Sequence, residues 1–167
     1  MKTRFFALAM LALALAACNN DNENLNGAPV AAQFTADIAP ATRASGTTWT
    51  AGDRIGITDI GNDSQYGNVP FILKNGKFEA EGKVIYIEDT KPHTFRAYYP
   101  YNAAGGILAA TTDATAQQNQ SAIDFLFATG ATGDKKSPVV SFTDKTGKGG
   151  EDNSFHHRMS RIDRKST

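Results

Sequence analysis

The side chains able to do chemistry in this 167-residue chain are few and scattered. Cys18 is the single cysteine. Its thiol can be acylated, but it has no partner for an internal disulfide or a thiolate metal cluster. His156 and His157 are adjacent, and neighbours on a strand point to opposite faces, so they do not chelate one ion together. His93 stands far from both, beside Pro92. Asp53, Asp59 and Asp63 lack the calcium-loop pattern and its closing Glu. They read as solvated turn acids, with Asp53 bracing the turn after Gly52. There is no Gly-x-Ser-x-Gly elbow, and Gly105-Gly106 precedes no helix start, so it is not a phosphate loop. The residues therefore point to no catalysis, no cofactor and no metal. Tyr98, Tyr99 and Tyr101 form the one aromatic cluster. Exposed tyrosines stack on sugar rings, so Tyr98 and Tyr101 are candidate glycan contacts; core packing is the competing role. The 17 basic and 17 acidic residues balance without a basic stripe, which argues against a nucleic-acid partner.

The amino terminus sets where such a chain works. Lys2 and Arg4 precede an apolar run from Phe5 to Ala17. A basic start, an apolar middle and small residues at its end make a secretory signal peptide over residues 1–17. The run is shorter than the roughly 20 residues that span a bilayer as a helix. Leu15-Ala16-Ala17-Cys18 resembles the lipobox of bacterial lipoproteins. The resemblance implies cleavage between Ala17 and Cys18 and a diacylglyceryl group on the thiol. Each buried methylene adds about 0.8 kcal/mol of membrane affinity, and two or more chains anchor stably. The competing reading is a plain signal peptide with a chance cysteine. Residues 18–29 are rich in Asn and bury nothing, as expected of a flexible tether.

Beyond the tether the pattern is that of strands. Val30, Ala32, Phe34, Ala36 and Ile38 share one face, alternating with Ala31, Gln33, Thr35 and Asp37. Pro40 ends that strand. Thr42-Arg43-Ala44 lies in a small, polar stretch that reads as an exposed loop. Ile55, Ile57 and Ile60 are expected on the next strand. Phe71-Ile72-Leu73 and Phe78 flank Asn75-Gly76, a type I′ hairpin signal. Val84 to Ile87 reads as a strand covered on both faces. Thr94 to Tyr99 alternates, with Phe95, Ala97 and Tyr99 opposite Arg96 and Tyr98. Residues 102–120 read as a long loop, Ile123 to Ala128 as a strand, Gly130 to Lys136 as a loop and Pro138 to Phe142 as a strand. Phe155, His157 and Met159 share a face of a last strand, and the polar tail 163–167 reads as a truncated or frame-shifted end. Short strands at regular turn signals predict an all-β domain, a β-sandwich, over residues 30–162.

Five short stretches, in this order, resemble the fimbrillin family of Bacteroidales pilus subunits. They are Thr42-Arg43-Ala44 with Trp49-Thr50-Ala51-Gly52-Asp53-Arg54-Ile55-Gly56-Ile57, Ala97-Tyr98-Tyr99-Pro100-Tyr101, Asp124-Phe125-Leu126-Phe127-Ala128, and Phe155-His156-His157-Arg158-Met159-Ser160-Arg161-Ile162. The resemblance implies a transthyretin-like sandwich, here its amino-terminal half, and an inward, hydrogen-bonded His157. It implies a surface-exposed lipoprotein on the outer membrane, cut after Arg43 by an Arg-specific protease. The strand Val30, Ala32, Phe34, Ala36, Ile38 then leaves, and a strand of another subunit takes its place by β-augmentation. The residues alone leave Arg43 open as a simple loop cation. The competing function is a glycan-binding surface lipoprotein.

Overall fold

The computed structural model describes residues 27–39, 48–105, 124–143 and 152–158. Alternating apolar residues give ten strands among them: β1 Val30–Ala31, β2 Gln33–Ala36, β3 Arg54–Asp59, β4 Val69–Lys74, β5 Lys77–Ala80, β6 Tyr86–Ile87, β7 His93–Tyr99, β8 Leu126–Gly133, β9 Val139–Phe142 and β10 His156–His157. A 3-10 turn, Ile60–Asn62, and one helical turn, α1 Asp63–Tyr66, link β3 to β4. The chain is mostly β, as its periodicity predicts.

Eight strands form one ladder in the order β10-β8-β7-β3-β4-β5-β2-β9, and β1 pairs with β6 apart from it. The ladder is continuous, where the sequence suggested a sandwich of two sheets. It curls because its far members are tied together. A short connection, in which Asp134 and Ser137 exchange backbone hydrogen bonds at 3.1 Å, returns β8 to β9, and the two strands pack against each other. The approach is so close that a Cβ at Gly133 would lie 2.7 Å from Val140 Cγ2.

Phe34 sits at the middle of the enclosed core. Its ring meets Phe71 at 4.8 Å and Phe95 at 5.4 Å edge-on, and stacks on Phe142 at 6.4 Å. Ile55, Ile57, Ile85, Ile87, Leu126, Val140 and Phe155 are the other large apolar side chains fully buried among the described residues. Each such side chain contributes about 1.5–3 kcal/mol by leaving water.

Several local expectations hold. Asn75 and Gly76 take φ of 49° and 78°, and Lys74 pairs with Lys77 across the hairpin. Asp53 accepts from Thr50 N at 2.7 Å and so braces its turn. Others are corrected. Ile60 lies in the 3-10 turn, 45% exposed, because Asp59 caps that turn by accepting from Gly61 N and ends the strand before it. Asp59 is itself buried, not a solvated turn acid. Val84 to Ile87 alternates in burial, with Tyr86 exposed, so only one face is covered. The loop expected from Gly130 is instead the second half of β8. Gly130, at φ 86°, is the extra residue of a bulge where the β7 register shifts between Phe95 and Arg96. The bulge absorbs the glycine that reads as a loop in the sequence.

Candidate functional site

Residues 27–39 form a seam. Val30 and Ala31 pair antiparallel with β6, and Ala32 N donates to Ile85 O at 2.9 Å. β2 then lies between β5, antiparallel, and β9, parallel. Past β2, Asp37 N donates to Phe142 O, Phe155 N to Asp37 O, and Ala39 N to Phe155 O, with Ile38 bridging Phe155 in parallel. One segment of the chain thus joins four others by backbone hydrogen bonds, and it closes the gap between β9 and the residue preceding β10. The predicted face is the buried one. Ala32, Phe34 and Ile38 are buried, Ala36 packs at the core margin, and Val30 is half-buried.

Two side chains outside the segment hold its backbone. Trp49 Nε1 donates to Ala36 O at 2.8 Å, while its ring meets Phe78, Tyr99 and Phe155 edge-on. Lys135 Nζ donates to Gly27 O at 2.6 Å and Glu88 O at 3.3 Å, although the lysine is 7% exposed. Sequence reasoning found neither grip. Trp49 stands alone among Thr, Ala and Gly residues, and nothing near Lys135 set it apart from a loop cation. Cys18 and Ala17, like Arg43 and Ala44, lie outside the described residues.

The opposite face of β3, β7 and β8 carries a second feature. Gly56, Tyr98 and Phe127 form one cross-strand row. Gly56 has no side chain, and the Tyr98 ring fills that space; a Cβ there would lie 2.5 Å from Tyr98 Cε1. Tyr98 Oη meets Asn68 Oδ1 at 2.5 Å and Asn102 O at 2.7 Å, and the ring stacks on Phe125 at 6.0 Å. A shallow groove of about 290 Å³ runs along Tyr98, Phe125, Phe127, Arg96, Asp63 and Asn68. Tyr101 does not line it. Its ring lies under the Arg54 guanidinium, 4.9 Å away, so the two candidate tyrosines are not brought together.

The histidines are held by carboxylates. His157 Nδ1 meets Asp124 Oδ1 at 2.8 Å in a mostly buried pair, the packed role expected of it. His156 Nε2 meets Asp152 at 3.2 Å. His93 bridges two acids, with Nδ1 at 2.7 Å from buried Asp59 and Nε2 at 3.3 Å from exposed Asp89. Burial alone would lower the His93 pKa, but the hydrogen bonds and charges of Asp59 and then Asp89 outweigh it and raise the pKa. The Lys91 backbone N–H, more than His93, holds the Asp89 carboxyl below its usual range. Burial, then the charge of Asp53, raises Tyr99.

Residues 42–166 match the model of the family described as Fimbrillin-like. The chain belongs to that family. Among fimbrillin-like relatives, the Bacteroides uniformis protein named "Putative fimbrium subunit Fim1C" is 34% identical over 98% of the chain and 55% of the relative. The crystal structure of a "putative cell adhesion protein" from Bacteroides uniformis matches with a TM-score of 0.52 at 33% identity, over 78% of this chain and 49% of that one. Another, from Bacteroides ovatus, matches with a TM-score of 0.52 at 26% identity, over 78% and 53%. The chain spans about half the length of the relatives it matches.

Proposed function

We propose that this fimbrillin-like chain is a structural subunit or anchor of a cell-surface pilus and supports adhesion. It reaches the outer membrane as a lipoprotein acylated on Cys18. An Arg-specific protease cuts between Arg43 and Ala44, the segment carrying Val30, Ala32, Phe34, Ala36 and Ile38 leaves, and a strand of another subunit enters. The seam carries this reading. A single segment, residues 27–39, upstream of Arg43, supplies the central core side chain and joins its neighbours in the sheet by backbone hydrogen bonds. Backbone pairing with alternate side-chain pockets is what strand addition requires. The names of the relatives, a fimbrium subunit and cell adhesion proteins, agree with it.

The test is the amino terminus of assembled material. Subunits in polymer are expected to begin at Ala44, and Arg43→Ala is expected to leave the chain uncut and monomeric. An intact amino terminus in polymer sinks the mechanism. A second reading, glycan binding, is favoured by the groove of Tyr98, Phe125 and Phe127 with amide and guanidinium groups beside it. Loss of polysaccharide retention in Tyr98→Ala, with an unchanged melting temperature, would select that reading.

A further inference from the structure

The two grips on the seam differ in chemistry. Trp49 and Lys135 both lie downstream of Arg43, and the carbonyls they hold, Ala36 O and Gly27 O, lie upstream. An indole N–H is neutral and reads a backbone carbonyl in any strand, whatever its side chains. The Lys135 ammonium is different. It is almost buried, and its described acceptors are two neutral carbonyls, with no carboxylate among them. A buried cation is costly without an opposing charge, and carbonyl oxygens offer it only partial charge. Among the described residues, the resident segment therefore brings no carboxylate to this end of the slot.

We propose that Lys135 selects the strand that occupies this slot, favouring one with a carboxylate at the position of Gly27. Trp49 holds the backbone of whichever strand is present. The occupant is an extended strand of a second subunit. Its side chains at alternate positions match those of the resident: small at Ala32, aromatic at Phe34, small at Ala36 and aliphatic at Ile38, after an acid at the Lys135 end. The proposal rests on the strand-exchange reading for its partner, but the Lys135 contact can be tested without any cleavage.

Amide hydrogen exchange on the intact chain gives that test. Gly27→Asp is expected to slow exchange at Ala32, Gln33, Asp37 and Ala39 at least fivefold. The same change made in a Lys135→Met background is expected to slow it less than twofold. Trp49→Phe is expected to speed exchange at Asp37 and Ala39 and to leave the β7–β8 amides unchanged. No slowing by Gly27→Asp, or equal slowing in both backgrounds, overturns the selection by Lys135. A second arm separates this from the exchange reading. A chain cut in the 40–47 region through an inserted protease site is mixed with peptides of residues 27–39, with and without Gly27→Asp. Trp49, the only tryptophan, reports entry by its fluorescence. Tighter entry of the acidic peptide, fivefold or more, supports the proposal. Failure of both peptides to enter, with the exchange result intact, rejects strand exchange and leaves the Lys135 contact standing.

Discussion

At the scale of residues, the most consequential polar group is His93. It holds Asp59, which is 1% exposed, and Asp89 beyond it. Removing the imidazole leaves a buried carboxylate short of its strongest partner, so His93→Ala is expected to cost about 3 kcal/mol, read by urea denaturation. The pH dependence has a definite sign. The folded pKa of His93 lies above its unfolded value near 6.5, so its contribution is fully present below that value. It is lost as pH rises through the folded pKa. Asp89 works the other way: its folded pKa is depressed, and its contribution fades as pH falls through that value. Stability should therefore decline from pH 6 to pH 8, and His93→Gln should flatten that decline. A flat wild-type profile over this range would reject the assignment. Gly56 makes a second residue-scale case. An added methyl there meets Tyr98 at 2.5 Å and Asn68 Oδ1 at 2.6 Å. Gly56→Ala is expected to displace the Tyr98 ring and cost about 1–3 kcal/mol, measured as a lower melting temperature. Neither role was legible in the sequence. Asp59 stands among turn residues and reads as solvated, and only the pairing of β3 with β7 brings His93 to it.

At the scale of elements, legibility followed periodicity. Residues 30–38 alternate without a break, and the structure buries the predicted face even though the segment splits into β1, β2 and a bridge. The Asn75-Gly76 hairpin was equally plain, because its positive φ values demand those residue types. The reading failed where one glycine stood for two structures. Gly130 looks like a loop from its composition, yet a bulge takes it up and β8 continues to Gly133. Val84 to Ile87 looked buried on both faces because continuous apolar runs give no period. Tyr86 pairs with Ala31 in the separate β1–β6 pair and faces water, while Ile85 and Ile87 are buried. The element that most repays mutation is β2. Phe34 touches three other phenylalanine rings at the centre of the core. Phe34→Ala is expected to cost about 3–5 kcal/mol in equilibrium unfolding. Phe34→Leu, which keeps most of the volume, should cost much less. Equal losses in both would mean that the ring contacts, not the filled volume, dominate.

At the scale of the molecule, the curled sheet is closed by a segment that belongs to no hairpin. The hairpins β3–β4–β5 and the pair β7–β8 are local, but residues 27–39 join β6, β5, β9 and the approach to β10 across the whole chain. Contacts so distant in sequence form late, after loop closure has been met elsewhere. The order of assembly then has a consequence for the isolated molecule. Without the segment, β5 and β9 each lose a neighbour, and a trough lined by Phe71, Phe95 and Phe142 opens between them. Two unpaired edges beside an open apolar face invite association with other chains. A chain beginning at residue 44 is therefore expected to leave the monomer peak in gel filtration and form aggregates. A peptide of residues 27–39 added in excess during refolding should restore the monomer, and the Phe34→Ala peptide should not. A soluble, cooperative monomer lacking the segment would show that β5 and β9 close on each other directly, and that the seam covers the core without holding it shut.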